Sequence, residues 1–94
     1  MADKPLPGED TSPLKFPTEF PIKIMGKTQD GFAQAVVEIV LRHAPDFDPN
    51  SMEMRASRNA NYLSLTCTIV AQSRAQLDAL YRELVAHPMV KMVL

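Results

Sequence analysis

The sequence predicts an α+β domain in which two helices lie on one face of a four-stranded antiparallel sheet. Three observations predict it. Residues 20–25 and 62–70 alternate apolar and polar side chains, the period of a strand that buries one face. Residues 32–43 and 77–84 repeat apolar residues three and four apart, the period of a helix with one buried stripe. With two shorter strand-like runs, these segments follow one another as β-α-β-β-α-β. A chain of 94 residues, 46% of them hydrophobic, holds one such domain and no second.

Each element has its own local reason. In the first strand Phe20, Ile22 and Ile24 share one side and Lys23 and Met25 the other, until Gly26 ends the alternation. Pro21 has no N–H to give to a sheet ladder, so good pairing is expected to begin at Ile22. Thr28 is the expected cap of the first helix, with Asp30 in its first turn, where the dipole favours negative charge. Phe32, Val36, Ile39, Val40 and His43 then line one face. Pro45 pushes the residue before it out of helical geometry, so the helix should stop at Ala44.

After a turn at Asp46 to Pro49, Met52, Met54 and Ala56 alternate with Glu53, Arg55 and Ser57, a weak strand whose methionines are expected to fill the core. Arg58 to Asn61 make a hairpin loop. In the strand that follows, Leu63, Leu65, Cys67 and Ile69 alternate with Tyr62, Ser64, Thr66 and Thr68. Ser73 and Gln76 fit a capping box opening the second helix, whose face is Leu77, Leu80, Tyr81 and Leu84 and which ends at His87 before Pro88. The terminal MVKMVL is a short closing strand.

This is the ferredoxin-like order. Right-handed crossovers place the first and third strands in the centre and give the strand order 4-1-3-2. Residues 18–94 form the domain. Residues 1–17 hold Pro5, Pro7, Pro13 and Pro17 with few side chains worth burying, and read as a disordered arm.

Composition excludes several functions. Ten Lys and Arg against eleven Asp and Glu give a net charge of −1, far from the basic footprint of a general nucleic-acid binder. The single Cys67 cannot form an internal disulfide, and the start MADKPLPGED lacks the cationic patch and apolar run of a secretory signal, so a cytoplasmic protein is expected. No apolar run reaches the roughly 18–20 residues of a membrane span.

Catalysis finds little support. His43 and His87 each fall near a helix C-terminus with no nucleophile placed beside them by spacing, Cys67 faces the core, and no Cys or His pair has metal-ligand spacing. No catalytic residue, metal or cofactor is therefore expected. The segment Gly26-Lys27-Thr28-Gln29-Asp30-Gly31 could bring helix-start amides to an anion or polar ligand, or could simply be a tight strand-to-helix turn. A small acylphosphatase-like hydrolase shares this fold order, but Phe32 is followed by Ala33, where such an enzyme carries Arg. An RNA-binding module would stack bases on several aromatics of the central strands, and here only Tyr62 is offered. The hairpin cluster of Arg55, Arg58, Asn59 and Asn61 is either solvated turn chemistry or part of a ligand site. The outer face of the sheet, with Lys23, Tyr62, Ser64 and Lys91, is either solvated or covered by a partner or a second copy of the chain.

Several spaced motifs, Phe16-Pro17-Thr18, Lys23-Ile24-Met25-Gly26, Arg42-His43-Ala44-Pro45, Asn61-Tyr62 with Ser64, Tyr81 with Leu84, and Val90-Lys91-Met92-Val93-Leu94, resemble the YbeD family of small bacterial proteins. That resemblance implies an ACT-like regulatory domain, a family with no assigned biochemical role and no catalytic residues to carry over, and an association with lipoate biosynthesis by gene neighbourhood. In ACT-type domains ligands bind near the first strand-to-helix loop, and Gly31 is similar to the glycine found there. The expected function is a regulatory or interaction module that binds a protein partner or small effector, with Lys23, Gly26, Lys27, Thr28, Gly31, Tyr62, Ser64 and Lys91 as candidate contacts.

Overall fold

The computed structural model describes residues 15–94; most of the proline-rich arm lies outside the described residues. The elements are β1 (Thr18–Lys27), α1 (Phe32–His43), a 3-10 turn (Pro49–Ser51), β2 (Glu53–Ala56), β3 (Tyr62–Ala71), α2 (Arg74–Ala86) and β4 (Val90–Val93). They form one antiparallel sheet of order β2-β3-β1-β4, the predicted order read from the other edge.

The sheet buries one face only. Ile22, Ile24, Leu65, Cys67, Ile69 and Ala71 are buried on the helix side, together with Phe32, Val36, Ile39 and Val40 of α1 and Leu77, Leu80 and Leu84 of α2. No buried polar side chain interrupts that core among the described residues. At about 25 cal/mol per Å² of apolar area removed from water, this single layer is the main source of stability.

Four expectations need correction. Pairing of β1 with β3 runs from Thr18 to Lys27, so it does not wait for Ile22. Lys23 exchanges both backbone bonds with Leu94, at 3.2 and 2.8 Å, so Pro21, two residues earlier, turns the same edge toward the β4 side. There, beyond Leu94, no described strand residue stands opposite it, and the missing N–H costs no ladder bond.

The first helix starts three residues later than Thr28 suggests. Its N-cap is Gly31, at φ 85°, a left-handed conformation that a glycine adopts without steric cost. Thr28 and Asp30 belong to the preceding turn, where the Thr28 amide donates to the Asn61 carbonyl at 2.9 Å.

Met54 is not a core filler. It is 55% exposed, because β2 is an edge strand that neither helix reaches, and all four of its residues are exposed. Met52, just before it, does pack partly against the core.

At the second helix the Ser73 hydroxyl caps as expected, accepting from the Gln76 amide at 3.1 Å. The reciprocal half differs: Gln76 Oε1 accepts from Gln72 one residue further out, at 2.5 Å, and its amide donates to the His43 carbonyl at 2.7 Å. The start of α2 is thereby fastened to the end of α1. The same layer is tied by Glu83, which takes Arg42 as an ion-pair partner and the His43 ring nitrogen at 2.7 Å.

Candidate functional site

Because the helices occupy one side, the other side of the sheet is open, and strand register sets its side chains in rows. Glu53, Thr66, Lys23 and Leu94 form one row across the four strands, Arg55, Ser64, Met25 and Met92 the next, and Tyr62 with Lys27 the third. Alternation along each strand is the reason: each of these residues is flanked by neighbours directed at the helices. Tyr62, Met92 and Leu94 are each about half exposed, at 47%, 51% and 60%.

Two hollows meet on this face. One, of about 200 Å³, is lined by the polar groups of Lys23, Glu53, Arg55, Ser64 and Thr66 with Met54 at its edge. The other, of about 170 Å³, is apolar, walled by Met25, Ala56, Tyr62 and Leu63, and it shares Arg55 and Ser64 with the first. A third recess, of about 410 Å³, lies at the end of the sheet between Lys27, Thr28, Ala60, Asn61 and Tyr62. There the hairpin turns through Ala60 at φ 62°, closed by Ser57, whose amide donates to the Tyr62 carbonyl and whose hydroxyl accepts from the Tyr62 amide.

The ion pairs among the described residues all lie in the helices. In the helices Arg42 pairs with Glu83 and Arg74 with Asp78. On the open face Lys23, Lys27 and Arg55 have no carboxylate within 4 Å among the described residues. Coulomb attraction falls with distance and is screened beyond roughly 10 Å at ordinary salt, so these cations remain available to an arriving anion.

The expected contacts therefore separate into two groups. Lys23, Lys27, Tyr62 and Ser64 share the open face, and Thr28 adjoins them through its bond to Asn61. Gly26 does not join them, being buried on the helix side, where a Cβ would stand 2.3 Å from the Met89 carbonyl oxygen and 2.7 Å from the Phe32 ring. Gly31 is the cap of α1. Lys91 is the extra residue of a bulge in β4, exposed but opposite no residue of β1. Arg55, weighed with the hairpin cluster as part of a ligand site, lines both hollows, and Glu53, Thr66 and Met25 line them without having been singled out as contacts; their place in the alternation of β1, β2 and β3 is the signal that locates them.

The other chemistry-bearing groups are occupied. Cys67 is fully buried, and desolvation pushes its thiol up to about 11. Burial also raises the Tyr81 phenol, whose hydroxyl donates to the Leu94 carbonyl at 3.3 Å. The His87 ring accepts from the Met89 amide at 3.1 Å within its own turn. Among the described residues no group of three or more His, Cys, Asp or Glu is placed to hold a metal ion, and no helix is long and apolar enough to cross a membrane.

A four-stranded sheet of this order, with both helices on one side and the other bare, is the architecture of ACT-like domains. The ACT domain of a GTP pyrophosphokinase from Chlorobium tepidum superposes with a TM-score of 0.61 at 17% identity, over 81% of this chain and 84% of that one. A protein from H. pylori, known from a solution structure, gives 0.72 at 15% identity over 98% of both chains. The chain belongs to the family described as "Protein of unknown function (DUF493)", which matches residues 11–94 and is the UPF0250, or YbeD, family that its motifs resemble. The UPF0250 protein of Nitrosomonas europaea is 59% identical over 85 residues, 90% of this chain and 98% of the relative. That of Leptothrix cholodnii is 56% identical over 85 residues, 90% and 93% of the two chains.

Proposed function

We propose that this protein is a non-catalytic regulatory module of the cytoplasm that binds an effector or partner on the open face of its sheet. The observation that carries this reading is the set of cations Lys23, Lys27 and Arg55 gathered on the open face beside Tyr62 and Ser64, none with a carboxylate within 4 Å among the described residues. The mechanism is differential binding, in which an occupant of that face favours one assembly state over another and shifts the equilibrium by that difference. A homodimer covering the same face is one such state. The family resemblance directs the search for partners to the proteins of lipoate metabolism.

The test replaces Lys23 and Tyr62 with Ala, singly and together, and compares capture of lipoate-synthesis proteins with thermal stability. Both side chains are exposed, so stability should stay within about 0.5 kcal/mol of the parent. Retained capture by the double variant removes the open face from the function. Hydrolysis of an acyl phosphate above background by the parent protein removes the non-catalytic reading.

A further inference from the structure

We infer that the paired hollows of the open face form a site for a small monocarboxylate carrying a compact apolar group. This rests on the open face being the functional surface, and it specifies the chemical class of the occupant.

The two hollows differ in chemistry and share a wall. Lys23 and Arg55 bring positive charge to the polar one, Ser64 and Thr66 bring hydroxyl donors, and Glu53 is the single carboxylate there. A planar guanidinium matches a carboxylate with two parallel N–H donors, which singles out Arg55 as the anchor, while the ammonium of Lys23 acts as a point charge from the neighbouring row. Arg55 and Ser64 also border the apolar hollow, so the head of a ligand held by them has its tail directed at the Met25 and Tyr62 side chains. The Tyr62 ring, half exposed, and the Met25 thioether favour a ring or short branched chain by stacking and sulfur–aromatic contact.

Register sets the length. Rows on one face of a strand lie about 7 Å apart, and the Arg55 row is one such step from the Tyr62 row. A carboxylate joined by two or three carbons to one ring spans that step. Glu53 cancels one of the two positive charges, which favours a monoanion over a dianion such as a phosphate monoester, and the single aromatic does not provide for a run of stacked bases.

The test is a titration of the ¹⁵N-labelled full chain with 3-phenylpropionate, using its neutral amide and propionate as comparison probes. Saturable shifts are expected at Lys23, Met25, Arg55, Tyr62 and Ser64, with a Kd of the order of millimolar for so small a ligand. The amide should bind at least about tenfold more weakly, and propionate likewise, since one lacks the charge and the other the ring. Arg55→Gln and Lys23→Gln, both on exposed positions, should each weaken 3-phenylpropionate by about fivefold to tenfold with unchanged spectra elsewhere. Equal binding of the amide, shifts centred on residues 26–31, or no saturable shift by about 20 mM would overturn the assignment. Capture of a partner that depends on Lys23 and Tyr62, without carboxylate binding, would remove this inference and leave the interaction module standing.

Discussion

The sharpest test of the packing at the end of β1 is Gly26→Ala. A side chain is impossible to place there without movement, because the new methyl would sit 2.3 Å from the backbone oxygen of Met89 and 2.7 Å from two ring atoms of Phe32. Neither neighbour yields easily: Met89 O belongs to the backbone entering β4, and Phe32 is fully buried at the first turn of α1. Overpacking a tight core by one methyl costs about 1–3 kcal/mol, and a clash with backbone belongs at the upper end or above it. Against a total stability of roughly 5–14 kcal/mol for a chain of this size, a loss of about 3 kcal/mol is large. It should lower the melting temperature by about 12–20 °C. Gly31→Ala is the internal comparison, since its Cβ would meet nothing nearer than 4.0 Å and only its φ of 85° opposes the change. That conformational cost is about 1 kcal/mol. Circular dichroism during urea and thermal unfolding measures both variants. A Gly26→Ala loss no greater than that of Gly31→Ala would refute the packing account and return Gly26 to the ligand-contact role first expected of it.

Three further outcomes follow from the described geometry. The Arg42 and His43 bonds hold the Glu83 carboxyl below its ordinary value of 4.5, so the folded state gains stability above that pH and loses it as pH falls through the lowered value. Glu83→Gln should therefore be less stable than the parent at pH 7, with the two unfolding curves converging in acid; a gap that does not narrow there rules out this linkage. Cys67, buried and with its thiol near 11, should react with a disulfide reagent at pH 8 only as fast as the protein opens, and prompt stoichiometric labelling would contradict its placement. Ala60→Gly should raise the urea midpoint by an amount worth about 0.5 kcal/mol, because glycine takes the φ of 62° freely and loses only part of that gain to chain entropy; a lower midpoint would show that the turn is not strained.

The fold was legible because the two central strands and both helices carry strong periodicity, and each period buries one side. Ile22 and Ile24 against Leu65 and Cys67 sufficed to orient the sheet, and Pro45 and Ser73 set the ends of the helices they border within a residue. Misreadings occurred where local chemistry offered two answers. Thr28 is a good cap by type, yet Gly31 takes that place, in a left-handed conformation that a glycine adopts without steric cost. Met54 alternates correctly with its neighbours but lies on an edge strand beyond the helices, a fact of layer width that no local window contains. The Arg42, His43 and Glu83 cluster joins residues forty positions apart and leaves no spacing signal at all. For the candidate site, parity assigned Lys23, Tyr62 and Ser64 to the outer face, whereas the prominence of Arg55 depends on which residues β2 sets beside Ser64.

That dependence makes register itself the last test of the site. Arg55 pairs with Ser64 and Glu53 with Thr66 through a strand only four residues long, and a shift by one residue would carry both charged side chains to the helix side and Met54 to the open face. The hairpin turn is what opposes the shift, through the Ser57 and Tyr62 backbone bond of 2.9 Å and the Ser57 hydroxyl that accepts from Tyr62 at 3.1 Å. Ser57→Ala removes one of these bonds, so the edge pairing of β2 should loosen while β1 and β3 keep theirs. Hydrogen exchange resolves the difference: the amides bonded between β2 and β3 should lose protection by about fivefold to tenfold, the value of one hydrogen bond of about 1 kcal/mol, with β1 unchanged. Uniform protection across the sheet in Ser57→Ala would mean that side-chain packing on the open face, and not the turn, fixes where Arg55 stands. In that case the polar hollow is held by its own lining, and Ser64→Ala becomes the change that displaces it.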